Sequence, residues 1–169
     1  MADSKLSALA ALTGANVADG DLFYVDDVSV TTSKSITAAE LRIAMMGTAL
    51  TNSLGGDVAL DNTSNFFTGP TVAQGTSGTW WATGSVMLTD TAGGANFVIK
   101  LWDGTTVIDS ATMNTASAIV QRVTLAGKLT TPAGNIRISV KDTTATTGKI
   151  IFNGSGESKD STLTVFRIG

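Results

Sequence analysis

Apolar and polar residues alternate through the second half of the chain with the two-residue period of β-strands. Over 79–90, Trp80, Ala82, Val86 and Leu88 fall on one face, and Trp81, Thr83, Ser85 and Met87 on the other. Phe97, Ile99 and Leu101 alternate with Lys100 in the next run, and Ile136–Lys141 is the cleanest, apolar at 136, 138 and 140 and polar at 137, 139 and 141. Further strand-like runs lie at 105–110, 119–125, 149–153 and 161–168, separated by Gly127, Pro132-Ala133-Gly134, Thr146-Thr147-Gly148 and residues 154–159. Asp103-Gly104, directly after Trp102, predicts a two-residue hairpin loop, because a primed turn needs positive φ. Seven or eight short strands in about ninety residues, with turn signals every eight to twelve, predict a mainly β fold: an antiparallel sandwich, closed as a jelly roll of about eight strands.

The first half reads differently. Leu6, Leu9 and Leu12 are spaced by three and end at Thr13-Gly14-Ala15-Asn16. Leu22–Val25 and Val28–Thr32 are strand-like on either side of Asp26-Asp27, which predicts a hairpin. Thr37-Ala38-Ala39-Glu40 places a hydroxyl at a helix N-cap and a carboxylate three residues on, a capping box opening a short helix that Gly47 stops. A helix of about ten residues is unstable alone in water, so its apolar face needs a docking partner. Residues 49–78 are dense in Gly, Asn, Ser and Thr, with only a few short strands. The expected organisation is a small N-terminal module over 1–50, a connector over 51–78 and a jelly-roll domain over 79–169.

Composition narrows the chemistry. The chain has 169 residues, no His and no Cys, which removes imidazole and thiolate nucleophiles, their zinc sites and every disulfide. Charged residues make up only 15%, so the polar surface is largely hydroxyl. A net charge of −3 argues against a nucleic-acid binder. The first 69 residues carry three basic against eight acidic side chains, and the remaining hundred carry eight against six, which points to two different jobs. No apolar run approaches the ~18 residues of a membrane span, and no signal peptide is evident, so synthesis in a cytoplasm and no membrane partner are expected.

Candidate sites are few. Asp26-Asp27, Asp103, Asp109 and Asp142 are the carboxylates available for glycoside hydrolysis, but turns and strand ends account for them and nothing positions a pair. Asp19, Asp21 and Asp26 offer oxygens for calcium without a twelve-residue loop pattern. No catalytic, cofactor-binding or metal-ligating residue is therefore assigned, and no enzyme activity is expected. Of the pair Trp80 and Trp81, strand alternation sends one to the core and the other outward, where it can meet a glycan or a neighbouring chain. Met87 and Met113 read as packing residues. Arg122, Arg137, Lys141 and Lys149 fall on polar strand faces, where Arg is also suited to a protein interface.

Three N-terminal stretches, Lys5-Leu6-Ser7-Ala8-Leu9, Gly20-Asp21-Leu22-Phe23-Tyr24-Val25 and Ser35-Ile36-Thr37-Ala38-Ala39-Glu40-Leu41, resemble the amino-terminal module of many tailed-bacteriophage head-fibre and tail-fibre proteins. In that family the module attaches the protein to the virion. Gly56-Asp57-Val58-Ala59-Leu60, Gly69-Pro70-Thr71-Val72-Ala73-Gln74-Gly75 and Gly78-Thr79-Trp80-Trp81 are similar to the lead-in to a jelly-roll head of the tumour-necrosis-factor type, which usually forms trimers. The resemblance implies a phage virion structural protein: a capsid decoration or cement protein, or a head-fibre base. Its partners would be two further copies and the major capsid protein or another virion protein. Its N-terminal module would grip the capsid exterior through Leu6, Leu9, Leu12, Phe23, Val25, Leu41 and Met45. The alternative is a short tail-fibre or tail-spike component that binds host surface glycans through Trp81 or the strand-end loops.

Overall fold

The computed structural model describes residues 22–25, 34–38, 47 and 49–169. They belong to two units that part between Gly47 and Thr48. In the first, β1 (Leu22–Val25) pairs antiparallel with β2 (Lys34–Thr37), Leu22 opposite Thr37 and Val25 opposite Lys34. The strand expected at 22–25 is present. Its expected partner at 28–32 and the helix expected after Thr37 lie outside the described residues.

The second unit is built from ten strands: β3 (Ala49–Ser53), β4 (Val58–Leu60), β5 (Phe67–Val72), β6 (Thr79–Asp90), β7 (Ala95–Trp102), β8 (Val107–Thr115), β9 (Gln121–Thr130), β10 (Ile136–Asp142), β11 (Gly148–Ile151) and β12 (Thr162–Arg167). All ten form nested antiparallel pairs: β7 with β8, enclosed by β6 with β9, then β5 with β10, then β4 with β11, then β3 with β12. The first three pairs and then the outer two, which share the sheet of β6, alternate between two sheets, as if one long hairpin had been rolled up, and this is the jelly-roll connection. One sheet has the order β5-β10-β7-β8. In the other, β6 is the spine, with β9 along one edge and β12 then β11 end to end along the opposite edge, carrying β3 and β4 outside them.

Two expectations need correction. Residues 51–78, read as a connector, hold most of β3 and all of β4 and β5, so the jelly roll begins at β3 and not at residue 79. Their alternation is weak because these strands lie at sheet edges, where only part of one face meets the core. The loop between β7 and β8 is also not a two-residue primed turn: it spans 103–106, with Gly104 at φ 101°. Asp103 is 4% exposed there, and its carboxylate accepts the backbone N–H groups of Thr105 and Thr106 at 2.9 and 2.6 Å and of Ala133 at 2.7 Å. The aspartate is a side-chain cap that ties this loop to the β9–β10 loop.

The device recurs. Asp90 accepts from Ala92 and Gly93, Asp142 from Thr144 and Ala145, and Asp160 from Ser155, each a buried carboxylate closing a loop at the end of a strand or just before one. Where β11 gives way to β12 along β6, the buried Ser161 Oγ accepts the Met87 N–H at 3.0 Å and donates to the Ile151 carbonyl at 2.7 Å, filling the gap in the ladder. The core lies between the sheets. Trp80, Ala82, Val86, Leu88, Leu163 and Val165 face Phe97, Ile99, Leu101, Ile136, Ile138 and Val140, all buried, as strand alternation requires.

Candidate functional site

The two outer faces of the sandwich differ in chemistry. On the spine sheet, the register aligns Ala49, Phe166, Trp81 and Lys128 in one row. The next row is Thr51, Thr164, Thr83 and Ala126, and then Ser53, Thr162, Ser85 and Thr124. These outward positions include no Asp or Glu. The hydroxyls of β3 and β12 pair across the strands, Thr51 Oγ1 with Thr164 Oγ1 at 2.9 Å and Ser53 Oγ with Thr162 Oγ1 at 2.8 Å. Such groups lose fewer water contacts on burial than free hydroxyls would. At one end Trp81 (43% exposed) and Phe166 (38%) stand opposite one another, and Ile168 (52%) continues the row past β12. Toward the other end, Met87, Ile151 and Val120 come together around Gly154.

Alternation placed the tryptophans correctly. Trp80 is 6% exposed in the core, its Nε1–H donating to the Ser77 carbonyl at 2.9 Å, while Trp81 faces outward. Met113 packs against the core. Arg122 bonds Asp160 at 3.2 Å at the margin of this face. Of the capsid-anchoring residues, Leu6, Leu9, Leu12, Leu41 and Met45 lie outside the described residues, as do Asp19, Asp21, Asp26 and Asp27. Phe23 and Val25 are on β1, of which only the backbone is described.

On the outer face of the β5-β10-β7-β8 sheet, cations and aromatic rings alternate. Lys100 Nζ lies 3.9 Å from the centre of the Phe66 ring and 3.2 Å from that of Trp102. Arg137 Cζ lies 4.8 Å from Trp102, and Lys141 Nζ 5.1 Å from Phe66. The Trp102 Nε1–H donates to Ser139 Oγ at 2.9 Å, which fixes the indole between the strands. Burial first, then the charges of Arg137 and Lys141, hold the Lys100 ammonium below the ordinary lysine range. The sequence reading placed Arg137 and Lys141 on polar strand faces but missed Lys100, Trp102 and Phe66 as partners. The only advance signal was the outward parity of Lys100 and Trp102 on one strand; Phe66 comes from the neighbourhood of another.

A cleft of about 500 Å³ lies between Thr51, Asn52, Ser53, Leu54 and Phe152, Ser158 and Lys159. Lys159 is the one ionisable group lining it.

The sequence matches no protein-family model and no curated protein. Among solved structures the chain is similar to Eiger TNF from S. frugiperda, at 11% identity over 72% of this chain and 92% of that one, with a TM-score of 0.45. It is similar to infectious bursal disease virus, Gx strain, at 9% identity over 89% of this chain and 39% of that one, with a TM-score of 0.35. It is similar also to the EclA C-terminal domain, a sugar-binding protein, at 15% identity over 70% of this chain and 75% of that one, with a TM-score of 0.32. At scores this low the nested strand pairing, and not these likenesses, carries the fold assignment.

Proposed function

We propose that the chain is a non-enzymatic structural protein of a tailed-phage virion, a capsid decoration or cement protein or a head-fibre base. It trimerises through the outer face of its spine sheet and is held on the capsid exterior by its N-terminal unit. The observation that carries this reading is that face: three rows free of carboxylates, with the hydroxyls of β3 and β12 paired to each other, and with Trp81, Phe166 and Ile168 projecting at one end. A surface of this kind loses little on desolvation and supplies aromatic anchors, the residue type that dominates interface energetics. The virion class is supported by the N-terminal stretches that resemble phage attachment modules.

Sedimentation equilibrium of the purified chain tests the assembly. Three copies are expected, and Trp81→Lys is expected to raise the dissociation constant at least 30-fold, the effect of removing a hot spot worth ~2 kcal/mol or more. Its melting temperature, measured where both forms are dissociated, should not change, because Trp81 is outside the core. A monomer at 100 μM, or a Trp81→Lys variant that assembles as tightly as the parent, removes the basis of the trimer. Deleting residues 1–47 should leave a soluble trimer that no longer decorates particles; a truncated form that still binds them overturns the anchor assignment.

A further inference from the structure

We infer that the outer face of the β5-β10-β7-β8 sheet is a binding surface for an acidic carbohydrate, a carboxylated or sulfated polysaccharide held by Lys100, Arg137 and Lys141 around Trp102 and Phe66.

The argument starts from charge. Lys100, Arg137 and Lys141 are brought side by side by the β10–β7 register, which sets Arg137 opposite Trp102, Ser139 opposite Lys100 and Lys141 opposite Val98. Among the described residues none of these cations has a carboxylate partner; the one ion pair is that of Arg122 with Asp160 on the other sheet. The acids of these strands and their turn point elsewhere. Asp142 is fully buried, Asp103 caps its loop, and Asp109 Oδ2 accepts the Ala126 N–H of β9 in the opposite sheet. The face is thus positive in a chain whose net charge is −3.

The cations are positioned without being neutralised. The rings attract them through their quadrupoles, which fixes their geometry and leaves the full charge in place. Arg137 Nε is buried with no hydrogen-bond partner, so no protein acceptor bonded at that atom offsets the guanidinium charge. Lys100 is lowered by burial first and by the charges of Arg137 and Lys141 second, and an arriving anion relieves the second of these.

The surroundings select a sugar. Outward neighbours in the same rows are Thr68, Thr71, Ser110 and Thr112, donors and acceptors suited to a hydroxyl-rich ligand. Aromatic rings with flanking hydroxyls meet the mixed apolar and polar surface of a pyranose better than a run of phosphates. Nucleic acid calls for a broad basic stripe, whereas here three cations sit on a chain of opposite net sign.

The surface lies on the opposite sheet from the proposed trimer contact and does not rest on it. The experiment is affinity electrophoresis of the intact chain through gels containing polygalacturonate, dextran sulfate or neutral dextran, with binding constants then measured by calorimetry. Retardation is expected in one or both acidic gels and not in neutral dextran. Lys100→Met and Arg137→Met should each weaken binding about tenfold, the loss of one charge-assisted hydrogen bond, while Lys159→Met, beside the cleft, should not. Folding of the variants is checked by their melting temperatures, and Arg137→Lys, which keeps the charge, should retain more binding than Arg137→Met. No retardation in either acidic gel overturns the inference. So does equal weakening by Lys159→Met, which would show only net-charge attraction, or equally tight binding of single-stranded oligo(dT), which would make the face a phosphate binder. Assembly is followed independently by sedimentation of each variant, so failure of the trimer and failure of this surface are read separately.

Discussion

Replacing Asp103 by Asn tests whether buried carboxylates hold the strand-end loops. The parent carboxylate accepts three backbone N–H groups, two from its own loop through Oδ1 and that of Ala133 through Oδ2. In Asp103→Asn one oxygen becomes an NH₂ group, so at least one of these N–H groups meets a donor instead of an acceptor. Hydrogen bonds to a charged group contribute roughly 1.5–3 kcal/mol each, and the flanking loop residues are exposed enough for water to replace part of the loss, so the net cost is about 3 kcal/mol. With a urea m-value of about 1.5 kcal/mol/M, the midpoint falls by about 2 M at pH 7.

The pH dependence sharpens the test. Burial alone would raise the Asp103 carboxyl, but the N–H groups of Ala133, Thr106 and Thr105 outweigh it and hold the group below its ordinary range. A carboxyl lowered in the folded state contributes stability that is complete above the unfolded value of about 3.9 and is lost as pH falls through the folded value. The gap between parent and variant should therefore be constant from pH 7 to about 5 and narrow below about 4, as the parent itself is protonated. A midpoint shift under about 0.5 M at pH 7, or one of equal size at pH 7 and in strong acid, would refute the reasoning.

Two further substitutions probe the core. Gly84→Ala, in the middle of β6, puts a Cβ 2.6 Å from the Thr162 carbonyl oxygen and 3.0 Å from Ile138 Cδ1 of the facing sheet, so overpacking should cost about 1–3 kcal/mol in a urea melt. An unchanged midpoint would mean that the sheets do not approach there. Trp80→Ala should cost about 3–5 kcal/mol, because it empties a buried indole site and orphans the Ser77 carbonyl, whereas Trp81→Ala one residue later should move the melt by less than about 1 kcal/mol at concentrations where the chain is dissociated. Equal losses at both positions would contradict the inward and outward assignment.

What the chain determined locally is what alternation and turn chemistry encode. The strands at 79–90, 95–102 and 136–142, the burial of Ile136, Ile138 and Val140, and the opposed fates of Trp80 and Trp81 follow from a side-chain period of two once one face must leave water. Asp103 was legible as a turn residue, though not as a cap, because capping depends on the Ala133 N–H thirty residues away. Tertiary structure decided the rest. Recruitment of β3 and β5 into the jelly roll came from long-range pairing with β12 and β10, since short edge strands carry too little pattern to announce themselves. The alternating stack of Lys141, Phe66, Lys100, Trp102 and Arg137 draws on β7, β10 and the approach to β5, and its members become neighbours only when the strand order is set. Periodicity says which way a side chain points, but not which strand lies beside it, because pairing energy depends on a partner that the local sequence does not contain.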